Sequence, residues 1–343
     1  MLRKKAPAVS DEIVDTNRFR MVRKLADGGM GSVFEAQLFG AHGFLKTVAI
    51  KTIIESYSQN DEFVEMFIGE AKLVADLVHQ NICQVYQLGK TGNHYYIAME
   101  YVAGVNLKEF VDKHVERGTR VPADIGTFII SRVCRGLEYA HAKRDKQGQL
   151  LGVVHRDISP KNIMLSIEGE VKLTDFGVAK ARNLMKDQEG EVLMGKVQYM
   201  SPEQAQYLPT DPRSDIFSLG VVMFELMTGQ PLFGSDTTTT TLQNVVYKEI
   251  PPPRLLNKDI PPDVEKIILR AVERDLSRRY QSAEEMGYDL EYSMYHKGYG
   301  PTIVTLEKYM RTLFPTVFIP GTERHRPALQ AGPEETAVSA PGI

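Results

Sequence analysis

Leu25-Ala-Asp-Gly-Gly-Met-Gly-Ser-Val33 sets three glycines, Gly28, Gly29 and Gly31, between two short runs of strand character. Phe19-Arg-Met-Val22 precedes them and Ser32-Val-Phe-Glu-Ala-Gln-Leu38 follows, both rich in β-branched or aromatic residues. The glycines therefore belong to a β-hairpin. A dinucleotide site and a P-loop both need a helix directly after their glycines, so this placement argues against both. A hairpin tip without side chains can instead lie over a polyphosphate and offer it backbone N–H groups.

Outward from the hairpin the chain shows two textures. Val48-Ala-Ile-Lys-Thr-Ile53, Gln84-Val-Tyr-Gln-Leu88 and Tyr95-Tyr-Ile-Ala-Met-Glu-Tyr101 continue the strand-like runs. One helix interrupts them over 62–77, where Phe63, Met66, Phe67, Val74 and Leu77 recur near helical spacing. From Leu107 onward the pattern is helical. The stretches 128–140 and 215–227 are as apolar as buried helices, and a Pro-rich stretch (Pro251-Pro-Pro253, Pro261-Pro262) separates them from a helix over 264–272. The threonine run Thr237 to Thr241 reads as a helix entrance capped by Asp236. In 303–314, Ile303, Leu306, Met310, Leu313 and Phe314 share a helical face, which predicts a helix packed on the C-terminal half or on a partner.

Composition narrows the class. Of 343 residues 43% are hydrophobic and 25% charged, with net charge −3, as in ordinary globular proteins. Such a balance offers no field for nucleic acid. The most apolar helical run, 217–227, contains Glu225 and is shorter than the ~20 residues of a bilayer span. Cys83 and Cys134 lie 51 residues apart in apolar surroundings and read as buried free thiols, which fits a reducing, cytoplasmic setting.

Further motifs follow the glycines in a fixed order. Val48-Ala-Ile-Lys51 puts a lysine on a strand 20 residues after Gly31, and Glu70 lies on the one N-terminal helix. His155-Arg-Asp157 comes five residues before Asn162; Asp175-Phe-Gly177 begins 13 residues later, and Glu203 of Ser201-Pro-Glu203 falls 28 residues after Asp175. Over about residues 17–295 this series resembles the eukaryotic-like (Hanks-type) serine/threonine protein kinases, and Gly-Gly-Met-Gly with Tyr-Met-Ser-Pro-Glu-Gln204 resembles their bacterial members.

The resemblance implies an α+β fold of two lobes with an ATP cleft near residue 102. Residues 1–16 would be an N-terminal extension, 17–102 the β-rich lobe, 103–314 the α-rich lobe with a helical extension, and 315–343 a mobile tail. It also implies Mg²⁺ and ATP as cofactors and protein Ser/Thr hydroxyls as acceptors. Lys51 would hold the α- and β-phosphates and pair with Glu70, while Asp157 orients the acceptor hydroxyl and Asn162 and Asp175 bind the metal. The glycine hairpin, from Ala26 through Gly28, Gly29 and Gly31, would cover the phosphates. Val33, Ala49 and Met164 would sandwich the adenine, Met99 would close the back of the pocket, and the backbone of Glu100 and Val102 would bond the ring. His155 reads as a packed structural histidine, Glu203 and Arg279 as an ion pair, and Asp215 as a brace for the catalytic loop.

Five departures stand out. Ala26 replaces the first glycine of the pattern, a small change if its φ is negative. Phe217 stands where the family has tryptophan, a residue absent from the whole chain. Ser159 occupies a position usually held by a lysine, and Lys196 one usually held by a threonine, so the cation near the transferring phosphate would come from Lys196 or from Lys161. Finally, between Asp175 and Glu203 there is no threonine and no serine but Ser201, although Arg156 precedes the catalytic aspartate. The expectation is activity without Ser/Thr phosphorylation of that segment. The competing reading, motivated by Ser159 and Lys196, is a pseudokinase scaffold or regulated binding module.

Overall fold

The computed structural model describes residues 18–28, 31–53, 61–92, 94–176 and 197–318. In the N-terminal half β1 (Arg18–Gly28), β2 (Gly31–Phe39), β3 (Leu45–Ile53), β4 (Val85–Thr91) and β5 (His94–Glu100) form one antiparallel sheet, ordered β1-β2-β3-β5-β4, with α1 (Asp61–Ala75) between β3 and β4. β1 and β2 close tightly at Gly28↔Gly31, so the glycine stretch is a hairpin. Gly31 is required there by close approach: a Cβ would lie 1.8 Å from the Thr52 carbonyl oxygen on β3.

The C-terminal half begins with β6 (Gly104–Asn106), α2 (Leu107–Glu116) and α3 (Ala123–His141), followed by β7 (Ile163–Ser166) and β8 (Val171–Leu173). Next come α4 (Pro202–Ala205), α5 (Pro212–Thr228), α6 (Thr238–Tyr247), α7 (Pro253–Leu256), α8 (Pro262–Ala271), α9 (Ala283–Tyr295) and α10 (Ile303–Leu313). β6, β7 and β8 form a second, three-stranded sheet. The core lies where α3 and α5 meet α8 and α9; Ile129, Val133 and Leu137 of α3 and Leu219, Val222 and Leu226 of α5 are sealed in it. α5 carries its own punctuation. Asp211 caps its first turn through the Arg213 N–H, Pro212 opens it, and Gly229 ends it in the left-handed region at φ 72°.

Phe217, in the place of the family's tryptophan, is fully buried, stacked on Phe233 at 6.0 Å with Arg279 over its ring at 4.9 Å. The change is one of packing, as expected. The cap of α6 differs from expectation: Thr237, not Asp236, accepts the Thr240 N–H, because a hydroxyl one residue closer to the helix reaches the third N–H. α10 packs on the C-terminal lobe. Leu306, Met310 and Leu313 are buried, Tyr309 stacks on His114 of α2, and Arg117 donates to the Leu313 carbonyl at 2.8 Å. Pro315–Phe318 continues it as a short 3-10 turn; the remainder of the expected tail, and the expected extension 1–16, fall outside the described residues. Among the described residues no helix is long and apolar enough to cross a membrane.

Candidate active site

Lys51 stands on β3 opposite Val33 of β2 and Ile97 of β5, with 8% of its surface exposed. Its Nζ donates to Asp175 Oδ1 at 2.8 Å, an ion pair from the sheet to the segment after β8. Asp175 takes a left-handed backbone at φ 60°, as does Arg156 at φ 62°. Such conformations cost non-glycine residues of order 1 kcal/mol, and they cluster where a site must aim its side chains. Glu70 lies on α1, but its side chain is outside the described residues, so the expected Lys51–Glu70 pair is too. Gly29 and Lys196 also lie outside them.

Hydrogen bonds knit the catalytic loop to the strand end that carries Asp175. The Thr174 N–H donates to the Asn162 carbonyl at 2.9 Å, and Asn162 Nδ2 donates to the Asp157 carbonyl at 2.8 Å. That second bond turns the Asn162 amide nitrogen onto the backbone. His155 holds the frame: its Nδ1 accepts the Asp157 N–H at 3.2 Å and its Nε2 donates to the Thr174 carbonyl at 2.8 Å, with Phe176 packed on its ring at 4.5 Å. Burial pushes the His155 pKa down, so the ring is neutral and structural, as the sequence suggested. Asp215, fully buried, accepts from the His155 and Arg156 N–H groups at 2.8 and 2.7 Å and from His141 Nε2 at 2.8 Å. Burial alone would raise its pKa, but these bonds and the neighbouring His141 imidazole outweigh that and hold it low. Lys161 sits exposed on the 3-10 turn Pro160–Asn162.

A cavity joins Lys51, Met99 and Asp175 with Cys83 and Phe176. Val33 pairs with Lys51, Ala49 with Met99 and Met164 with Asn106, which places the residues expected to sandwich the adenine on β2, β3 and β7 around the cleft rather than in the cavity wall itself. Ala26 pairs with Val33 and keeps a φ outside the left-handed region, so the alanine adds no backbone strain there. Glu100 ends β5 and leads through Tyr101 and Val102 toward β6.

Two contributors escape the motif reading. The Cys83 thiol donates to the Glu100 carbonyl at 3.4 Å and so borders the expected adenine edge. Lys172 reaches across from β8 to Glu100 Oε1 at 2.8 Å and to the Gln80 carbonyl at 3.2 Å. Its signal was a lysine between Val171 and Leu173 in a short buried strand, a position that requires a paired charge. Elsewhere the expected Glu203–Arg279 ion pair is present at 2.9 Å, with the Ser214 hydroxyl donating to Glu203 at 2.7 Å.

A lysine–aspartate pair over a loop carrying a second aspartate and an asparagine, in a cleft between a β lobe and an α lobe, defines a phosphotransferase of the protein-kinase class. The chain belongs to that family: the protein kinase domain matches residues 19–289. It is 41% identical over 271 residues to the tyrosine-protein kinase MasK of Myxococcus xanthus, covering 79% of this chain and 42% of that protein. It is 35% identical over 275 residues to a probable serine/threonine-protein kinase of Clostridium perfringens, covering 80% and 38%. The chain thus spans about two-fifths of these curated relatives. The solved PknI kinase domain of Mycobacterium tuberculosis shares the fold, with TM-score 0.59 and 23% identity over 81% of this chain and 96% of that one.

Proposed function

We propose that this chain transfers the γ-phosphoryl group of Mg-ATP to serine and threonine hydroxyls of proteins. The observation that carries it is the Lys51–Asp175 pair at 2.8 Å, joined through Thr174 to Asn162 and Asp157. The donor set suits Mg²⁺, a hard cation that takes one or two carboxylates and keeps water; when bound it would offset the charge of the phosphates. Lys51 aligns the α- and β-phosphates, Asn162 and Asp175 hold the cation, and the hinge backbone at Glu100 and Val102 seats the adenine beside Val33, Ala49 and Met164. Asp157 accepts the proton of the acceptor hydroxyl as its oxygen bonds to phosphorus and the bond to the departing ADP breaks. Glu70 fixes Lys51 from α1, and the cation opposite the transferring group is Lys196 or Lys161. The free, buried thiols at 83 and 134 fit a cytoplasmic enzyme.

The name of the Myxococcus xanthus relative favours one second reading, in which tyrosine is also an acceptor. Lys161 stands where tyrosine kinases often carry arginine. One experiment addresses these readings together: labelled ATP and Mg²⁺ with a generic protein substrate, beside Asp157→Asn, followed by phosphoamino-acid analysis. We expect phosphoserine and phosphothreonine from the wild type and none from the variant. Equal signal from both, or none from either, would remove the proposal, the latter in favour of a pseudokinase. Phosphatase treatment beforehand should leave most of the rate, since the segment from Asp175 to Glu203 has no serine or threonine but Ser201.

A further inference from the structure

The protein kinase match ends at residue 289, and α10 lies beyond it in sequence. It is nonetheless built into the helical lobe at both of its ends. Near its start, backbone atoms of Ile303 and Glu307 abut Gly169, in the turn between β7 and β8. A Cβ on Gly169 would lie 2.1 Å from the Ile303 carbonyl oxygen, and the φ of 81° there is one that glycine adopts without strain. Along its far half α10 grips α2. Tyr309 stacks on His114 at 5.8 Å with its hydroxyl 3.3 Å from Nε2, Phe110 lies against both Tyr309 and Phe314, and Arg117 holds the Leu313 carbonyl.

The two places that α10 touches are arms of one connected piece. The chain leaves Glu100 through Val102 and Ala103 into β6, whose last residue, Asn106, caps α2 by accepting the Glu109 N–H at 2.9 Å. β6 pairs with β7 at Gly104↔Ser166, Val105↔Leu165 and Asn106↔Met164, and the Ile167 N–H donates to the Ala103 carbonyl at 2.7 Å. The segment after Val102 and the strand carrying Met164 are thus tied together, and α10 clamps the far end of each.

We propose that α10 is a positioning element for the nucleotide: by clamping α2 and the β7–β8 turn it fixes the spacing between Val102 and Met164, and its docking sets the affinity for the adenine nucleotide. The assignment rests on the kinase reading above for the roles of those two residues. Close-packed elements pass small displacements to one another instead of absorbing them, and only Glu168 separates Gly169 from the Ile167 bond to Ala103. Asp157 is held separately, by the frame around His155 and Asp215, so undocking α10 weakens binding without slowing transfer. By linkage, nucleotide in the cleft strengthens the docking of α10 by the same factor that docked α10 adds to nucleotide affinity.

The test uses the full chain: wild type, Gly169→Ala, Tyr309→Ala, Tyr309→Phe and, as a control for general loosening of the lobe, Leu290→Ala in the core under α9. Kd for ADP is read by titration calorimetry and kcat and KM for ATP by turnover, at a temperature where unfolding scans show each protein folded. Tyr309→Ala and Gly169→Ala should raise Kd for ADP and KM for ATP about fivefold or more, with kcat within about twofold. Tyr309→Phe, which keeps the stacked ring, should behave as the wild type. Leu290→Ala should lower the melting temperature and move neither constant. In the wild type, saturating ADP with Mg²⁺ should slow amide exchange over 303–313 more than over 283–295. An unchanged Kd in Tyr309→Ala and Gly169→Ala, an equal rise in Leu290→Ala, or exchange in α10 indifferent to ADP would each overturn the assignment while leaving the kinase reading intact. A wild type that binds ADP, binds it more weakly as Tyr309→Ala and transfers no phosphate would uphold the assignment and remove the kinase reading. A wild type that binds no ADP would overturn both.

Discussion

The β1–β5 sheet carries Lys51 on a thin layer whose apolar packing falls into two small clusters, one around Ala36, Val48, Ile50 and Ala98, the other around Ile53, Phe67, Ala71 and Ile97. The lobe opposite carries Asp157 and Asn162 above one continuous core that reaches from Val74 of α1 to Leu313 of α10. The contrast teaches how the site divides its tasks. Asp157 and Asn162, the groups proposed to act on the acceptor and the cation, are fixed by deep burial and by a closed hydrogen-bond frame around His155 and Asp215. Lys51 is set by strand pairing and by an ion pair that crosses the cleft.

The comparison breaks most visibly at Asp175. Asp175→Ala removes the proposed cation ligand and a partner of Lys51 at once, and phosphotransfer should fall by about 10³-fold or more. The melting temperature should barely move, because the residue lies in a strained, site-directed conformation and not in the core. A variant that loses stability instead would mean that the cross-cleft pair holds the lobes together.

Next in size is the helical lobe's own buried pair. Arg279→Met leaves Glu203 buried without its cation and should cost about 3–5 kcal/mol in urea unfolding. Burial alone would raise the Glu203 pKa, but hydrogen bonding and charge from Arg279, with the Ser214 hydroxyl, outweigh it and hold it below the usual range. A carboxyl lowered in the folded state adds stability that is present above its unfolded pKa, about 4.3, and is lost as pH falls through the folded value. Wild-type stability should therefore decline below about pH 4.3, and the Arg279→Met variant should lack that share of the decline. An identical acid profile in both proteins would show that the pair contributes nothing to it.

The smallest effect sharpens the boundary of the large core. A chain ending at residue 298 loses Leu306, Met310 and Leu313, each worth ~1.5–3 kcal/mol of burial before the ordering cost of the helix, and should melt measurably lower. A chain ending at residue 314 should melt as the full chain does. Equal stability for the two would reassign α10 to a partner.

The five-stranded sheet, α1, α3, α5, α8 and α10 were legible because each buries one face or nearly all of itself, so period and composition coincide. The β6-β7-β8 sheet was largely not. Gly104–Asn106, Ile163–Ser166 and Val171–Leu173 are each three or four residues long, too short for alternation to register. α2 and α9 pass unnoticed for another reason: Lys108, Glu109 and Asp112, or Glu284, Glu285 and Asp289, dilute their apolar stripes. In the site, Lys51, Asp157, Asn162 and Asp175 were readable from ordered spacing. Cys83 and Lys172 were not, because their importance comes from strands brought beside Glu100 by tertiary folding.

The two cysteines divide between the same regions. Burial pushes both thiols far above the ordinary cysteine range, so neither reacts while its surroundings stay closed. Cys83 lines the cavity beside Lys51 and Asp175, whereas Cys134 is sealed where α3 packs on the helices around it. A thiol-reactive dye would therefore tag the two positions at different rates, each set by a different opening of the native protein. Nucleotide in the cleft would slow the first tagging rate far more than the second, giving each half of the molecule its own clock without any engineered label.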